Sequence, residues 1–193
     1  MRDDMSKLLI HFTKGGNEED AYQNFKSIIS QRKIFSSRDK IRSGASCVCF
    51  TEAPLPALYN GLLNPSFYSQ YSAFGFALTK QHVFELGGRP VIYQPDCEFE
   101  QLSSENRWRH VRYEPPSIDF TWEREWRIQT CELSISPETT KLVVPNASWA
   151  QRLVDEHGDE QKCCTIQYSQ IMDSLLAQQY EEPWRWVVVN LGT

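Results

Sequence analysis

The sequence predicts a mixed α+β domain, rich in strands and with peripheral helices. Three observations lead there: short apolar runs of strand length outnumber helical periods, the helices fall irregularly between them, and no regular strand–helix alternation repeats. A chain of 193 residues is long enough for one well-buried core and short for two, so residues 1–193 are read as a single domain.

Leu8-Leu9-Ile10-His11-Phe12 is a short apolar run that reads as a buried strand, with His11 near its C-terminal end and a polar Gly15-Gly16 turn after it. Asn17 can cap a helix in which Ala21, Phe25, Ile28 and Ile29 fall at i, i+4, i+7 and i+8, one apolar face through Ser30. A basic stretch, Arg32, Lys33, Arg38, Lys40 and Arg42, leads into a second apolar strand, Cys47-Val48-Cys49-Phe50. Thr51-Glu52-Ala53-Pro54-Leu55 then turns into a short helix-like stretch, Ala73 to Leu78 reads as a strand, and Gly87-Gly88 ends a helical turn before Val91-Ile92-Tyr93. Further strands are expected at Trp108 to Tyr113, Glu125 to Cys131, Leu142 to Val144 and Trp184 to Asn190, and helices at Ser148 to Glu156 and Ile171 to Gln179. The Glu114-Pro115-Pro116-Ser117 punctuation is expected to end a strand ahead of a functional loop.

Composition narrows the function classes. With 25 acidic and 20 basic residues the net charge is -5, which gives no global attraction for phosphate backbones, so a nucleic-acid partner would need local Arg and Lys clusters. Six Trp, eight Tyr and ten Phe make the chain aromatic-rich, which suits the walls of a flat cofactor site and a core equally. No signal-peptide core precedes Lys7, and no run approaches the roughly 20 apolar residues of a membrane span, so the expectation is a cytoplasmic protein without a membrane partner. Six cysteines without a CxxC pair read as small buried thiols in a reduced compartment. His82, His110 and His157 lack compact ligand spacing, so no metal is expected; Gly87-Gly88-Arg89-Pro90 reads as a turn and Trp184-Arg185-Trp186 as part of a terminal core strand.

Two segments carry possible chemistry. Period-two geometry sends His11 and Thr13 to one side of their strand, where both can face a ligand, and Phe12 to the other, where it suits a core. Alone, a histidine in an apolar strand is more often a satisfied core residue. In Trp122-Glu123-Arg124-Glu125-Trp126-Arg127, the same alternation puts Glu123, Glu125 and Arg127 on one strand face and Arg124 with Trp126 on the other. Such a strand can be a solvated edge with cross-strand ion pairs; equally, two aligned carboxylates beside aromatic walls can bind a hydroxyl and stabilise a developing cation.

The order His11-Phe12-Thr13, Asn24-Phe25-Lys26-Ser27-Ile28-Ile29, Ile34, then Cys47-Val48-Cys49-Phe50-Thr51-Glu52-Ala53-Pro54-Leu55, resembles the opening of DarT-type ADP-ribosyltransferases. The likeness covers roughly the first 60 residues and resumes at the Glu-Trp-Arg strand. It extends to CmdT-like abortive-infection toxins of phage defence. It implies an ADP-ribosyltransferase-like split sheet and NAD as co-substrate, without a metal. It also implies transfer to RNA or single-stranded DNA with release of nicotinamide, and an antitoxin or chaperone partner. By the same resemblance, His11 would bond the adenosine-side ribose, Thr13 would lie near the nicotinamide amide with Phe12 between them, and Phe50, followed by Thr51, would replace the Tyr that stacks on nicotinamide in many relatives. Glu125 would be the catalytic glutamate and Glu123 the acceptor-side member of a Glu-x-Glu pair, with the essential one of the two left open. Arg38 or Arg42 could neutralise the pyrophosphate. Arg107, Arg109, Arg112 and Arg124 would bind acceptor phosphates while Trp122 or Tyr113 stacks a base, which makes residues 94–121 the acceptor loop. The alternatives are a protein-directed transferase of the same kind, a non-catalytic defence-system binding module, and an NAD-using RNA 2'-phosphotransferase, against which the Glu123/Glu125 pair argues.

Overall fold

The computed structural model describes residues 6–54, 58, 63 and 71–192. Along them run β1 (Leu8–Lys14), α1 (Glu18–Gln31), β2 (Lys33–Phe35), β3 (Cys47–Thr51), β4 (Tyr71–Thr79), α2 (Lys80–Glu85), β5 (Arg89–Pro90) and β6 (Ile92–Gln94). Then come β7 (His110–Arg112), β8 (Glu125–Gln129), β9 (Glu132–Ser134), β10 (Thr140–Val144), α3 (Ala147–Tyr168), α4 (Ser174–Gln178) and β11 (Val188–Asn190). Seven strands form one sheet in the order β11-β10-β4-β1-β3-β8-β5, antiparallel except for the β10–β11 pair. The fold is mixed α+β, as the excess of strand-like runs predicts.

α1 begins where the sequence places it: the Asn17 side chain accepts from the Asp20 amide, and Glu18, Glu19 and Asp20 occupy the first turn, where the helix dipole favours acids. Its Ala21, Tyr22 and Phe25 pack on Leu9 of β1, Val48 and Phe50 of β3, Phe74, Phe76 and Leu78 of β4 and Ile128 of β8, forming the main core. Each buried Val, Leu, Ile or Phe side chain among them contributes roughly 1.5–3 kcal/mol. Phe12, Ala53, Leu58, Ala77 and Val143 make a smaller cluster on the other sheet face.

α3 is longer than the expected Ser148 to Glu156. Leu153 is its one buried residue among those described, and ion pairs add a second tether: Arg152 grips Glu19 with two nitrogens at 2.6 and 2.8 Å and Glu156 at 2.6 Å, while Lys26 joins Glu156 at 2.7 Å. α4 is shorter than expected, starting at an Asp173 cap. Trp108 lies within a 3-10 turn (Ser104–Arg109) and does not open the expected strand, which is reduced to β7; its indole Nε1 donates back to the Glu105 carbonyl at 2.7 Å. The last strand contracts to Val188–Asn190, while Trp186 reaches the main core from irregular backbone. The helix expected after Pro54 lies largely outside the described residues.

All six cysteines are free; Cys47 is buried and Cys49 half-buried, but Cys97, Cys131, Cys163 and Cys164 are exposed, which corrects the expectation of buried thiols. No helix among the described residues is long and apolar enough to cross a membrane.

Candidate active site

The sheet opens between β1 and β3. These neighbours are in register only at Ile10↔Thr51, whereas β1 pairs with β4 from Leu8↔Thr79 through Phe12↔Gly75. Beyond Ile10 the strands part, and His11 Nδ1 lies 2.8 Å from the Cys49 carbonyl, a side chain serving where a ladder amide would otherwise be. A carbonyl can only accept, so Nδ1 carries the proton and the neutral ring keeps Nε2 as an acceptor. Burial, the largest influence, lowers the His11 pKa, opposed by the Cys49 carbonyl and reinforced by Lys14.

From this opening spreads a cleft of about 800 Å³, within the range of small-molecule sites. One wall is β1 with His11; the others carry Tyr71, Cys49, Glu123, Glu125 and Arg127, then Lys40, Arg42, His110 and Arg112. Glu125 opens β8 opposite Thr51, and Arg127 stands opposite Cys49. As alternation predicts, the two share a strand face: Arg127 Nε and Nη2 donate to the Glu125 carboxylate at 2.8 and 3.0 Å, and its Nη1 donates to the Trp108 and His110 carbonyls at 2.8 and 3.0 Å.

Glu123 is not on that strand, which corrects the expected three-residue face. It ends a 3-10 turn (Thr121–Glu123), and Arg124 follows in the left-handed region at φ 46°, so Arg124 does not alternate with Trp126 either. The turn is pinned by the Thr51 hydroxyl, which donates to the Glu123 carbonyl at 2.5 Å, and by the Glu52 amide on the Arg124 carbonyl at 3.2 Å. The kink nevertheless returns Glu123 to the cleft beside Glu125. Burial first, then repulsion from Glu125, pushes the Glu123 carboxyl up to about 7, with Lys40 and Arg127 pulling the other way.

Of the other expected site residues, Phe12, Thr13, Phe50 and Thr51 line the cleft together with His11, while their side chains are largely buried. The Thr13 hydroxyl is buried and donates to the Phe74 carbonyl at 3.1 Å, so it ties β1 to β4. The Phe12 side chain belongs to the opposite cluster, as its alternation requires. Phe50, though it lines the cleft, is 2 % exposed and packed in the main core with His11 edge-on at 6.0 Å. Arg38 bonds Ser46 and does not line the cleft, whereas Arg42 does, already paired with Asp96 and lying over the Phe99 ring at 4.2 Å. Arg107 pairs with Glu100, Arg112 with Glu114, and Arg109 bonds the Pro90 carbonyl. Trp122 is exposed on the turn before Glu123. Arg107, Arg109, Trp122 and Arg124 all lie off the cleft lining.

Three residues were missed as site candidates. Tyr71 lines the cleft, its ring under the Lys14 ammonium at 5.4 Å and its phenol pushed up to about 12 by burial and by nearby Cys49, Glu123 and Glu125. The Tyr93 hydroxyl accepts from the Glu125 amide and donates to the Phe120 carbonyl, both at 3.2 Å, bracing the carboxylate turn. Lys40, at φ 60°, supplies the cation nearest Glu123 in influence. Nothing in local sequence marks the tyrosines, since long-range pairing delivers them. Among the described residues no cluster of three or more His, Cys, Asp or Glu is disposed to hold a metal. Comparison with protein-family models, curated proteins and solved structures finds no match.

Proposed function

We propose that the chain is an NAD-dependent ADP-ribosyltransferase that modifies a single-stranded nucleic acid, RNA or DNA, and acts as a toxin-like effector of antiphage defence. The observation that carries the reading is the pair of dissimilar carboxylates, Glu123 and Glu125, in one cleft with a neutral His11 across it. Two neighbouring carboxyl groups held in different surroundings are what acid–base division of labour requires.

NAD supplies a ribose–pyridinium bond whose cleavage leaves positive character on the ribose and the electron pair on nicotinamide. Glu125, oriented by Arg127, faces that positive charge and accepts from a ribose hydroxyl. Glu123, with a pKa near neutrality, takes the proton of the acceptor's O–H or N–H as the new C–O or C–N bond forms. His11 Nε2 accepts from a ribose hydroxyl, and Tyr71, the more exposed of the two cleft-lining rings Tyr71 and Phe50, is the ring for the nicotinamide face. Arg42 borders the pyrophosphate. His110 supports a polar ligand independently: its Nε2 is buried at the cleft wall without a hydrogen-bond partner among the described residues, a cost of roughly 1–3 kcal/mol that such a ligand would relieve.

The test is incubation with labelled NAD and RNA, single-stranded DNA or cell lysate. Label on nucleic acid with release of nicotinamide is the expected result. A folded protein that neither cleaves NAD nor transfers label overturns the reading, and label on protein alone moves the acceptor to polypeptide.

A further inference from the structure

The arginines that line the cleft are neutralised in place, Arg42 by Asp96, Arg112 by Glu114 and Arg127 by Glu125, and Arg107, off the lining, is neutralised by Glu100. Arg89 and Arg109 are different. Neither has a carboxylate partner among the described residues, yet both are half-buried and fixed by neutral acceptors. Arg89 uses one nitrogen, Nη1, for the Phe84 and Gly88 carbonyls at 2.9 and 2.7 Å, and its guanidinium lies 3.9 Å from the Phe84 ring centre. Arg109 uses Nε for the Pro90 carbonyl at 2.9 Å and Nη1 for Asn106 at 3.1 Å. The remaining Nε–Nη2 edge of Arg89 and the Nη2 of Arg109 are unbonded among the described residues, a set of donors that matches phosphate oxygens. The two cations are close enough that Arg89 lowers the Arg109 pKa, after the larger effect of burial. Holding two like charges together without an acid is unfavourable, and an anion removes that penalty.

Their place in the sheet connects them to the carboxylates. Arg89 stands opposite Arg127 on the edge strand β5, and two residues on, the Val91 amide donates to the Glu125 carbonyl at 3.0 Å. Strand geometry puts the Arg89 and Glu125 backbones about 8 Å apart. Phe84, 51 % exposed, extends the surface with an aromatic ring whose one side is covered by Arg89.

We propose that Arg89, Arg109 and Phe84 form a docking site for the phosphodiester backbone of the single-stranded acceptor, with Phe84 stacking a base; the inference rests on the nucleic-acid reading above. It gives a chain of net charge -5 the local cationic surface that such an acceptor needs.

The test is fluorescence anisotropy of a labelled single-stranded RNA 12-mer, and DNA of the same sequence, across a salt series. The proteins are wild type, Arg89→Gln, Arg109→Gln, the double variant, and an Arg→Lys pair that keeps the charge. Expected is a loss of about 10-fold per Gln substitution, a salt slope flatter by about 0.7 for each phosphate contact removed, and partial retention in the Lys pair. Wild-type affinity and slope in a folded double variant, or no oligonucleotide binding by wild type, overturns the proposal. Loss of binding in the Gln variants together with no ADP-ribose transfer by wild type keeps the docking site and removes the transferase reading. Transfer by wild type with undiminished binding and modification in the double variant does the reverse.

Discussion

Glu125 and Arg127 bind each other through two parallel hydrogen bonds across one face of β8, while the third arm of the guanidinium holds the Trp108 and His110 carbonyls. One arginine therefore orients the carboxylate and fastens the 94–121 segment to the sheet. Arg127 is 4 % exposed, so its charge depends on that partner.

Glu125→Gln is accordingly expected to do two things. It removes the anion facing the ribose, and transfer falls by about 100-fold or more. It also leaves Arg127 buried without a counter-charge, which costs on the order of 3 kcal/mol of stability in chemical denaturation. A variant with full activity would pass the catalytic role to Glu123.

Glu123 sets a pH dependence whose sign follows from its raised pKa of about 7. As a base it works deprotonated, so the transfer rate should climb through an inflection near pH 7. Stability moves oppositely. Between an unfolded value near 4.5 and about 7, the unfolded chain has released the proton that the folded one retains, so folding weakens as pH rises through this window. Glu123→Gln should remove up to about 3 kcal/mol of that alkaline penalty, seen as a higher Tm at pH 8 and little change at pH 4. Equal Tm at pH 8 for variant and wild type would mean that the carboxyl is not desolvated.

His11 offers a separation of fold from ligand binding. His11→Phe loses both the Cys49 bond and the Nε2 acceptor, and KM for NAD should rise by about 10-fold or more; His11→Gln, which can donate at one end and accept at the other, should recover part of this. With its pKa lowered below the ordinary 6.5, the imidazole is neutral above that pH, so His11 should contribute no change in NAD affinity between pH 7 and 8.

What was legible in the sequence were features set by neighbours along the chain. Asn17 announced the start of α1, and period-two alternation put Phe12 opposite His11 and put Arg127 beside Glu125. What was not legible depended on contacts distant in sequence or on single backbone choices. The left-handed Arg124 takes Glu123 off the strand, and strict alternation has no means of anticipating it. The parting of β1 from β3 after Ile10↔Thr51 creates the cleft, yet both segments read simply as apolar strands. α3 continues past Glu156, where its apolar period fades and Gly158 interrupts, and there Lys26 meets Glu160 from another helix at 3.0 Å.

Gly75 tests the close approach of β1 and β4, the ladder that stays paired where β1 leaves β3. It faces Phe12 across the β1–β4 ladder, and a Cβ there would lie 2.6 Å from the His11 carbonyl and 3.0 Å from the Phe12 ring. The first contact is with backbone, which yields only if β1 moves. Gly75→Ala should therefore destabilise the fold by about 2 kcal/mol or more in urea unfolding, an overpacking cost.

Lys40 provides the most selective prediction, because its influence reaches Glu123 without a hydrogen bond between them. Lys40 holds the Glu123 pKa below where burial and Glu125 alone would set it. Lys40→Gln removes that charge, so the rise in transfer rate should move to higher pH by a fraction of a unit to about one unit, with the plateau rate little altered. The left-handed backbone at Lys40 is strained for either side chain, so Lys40→Gly, which relieves it, serves as the control for conformation. The same alkaline displacement in both variants assigns the effect to charge; a profile that stays at wild-type pH while activity drops would make Lys40 a ligand contact instead.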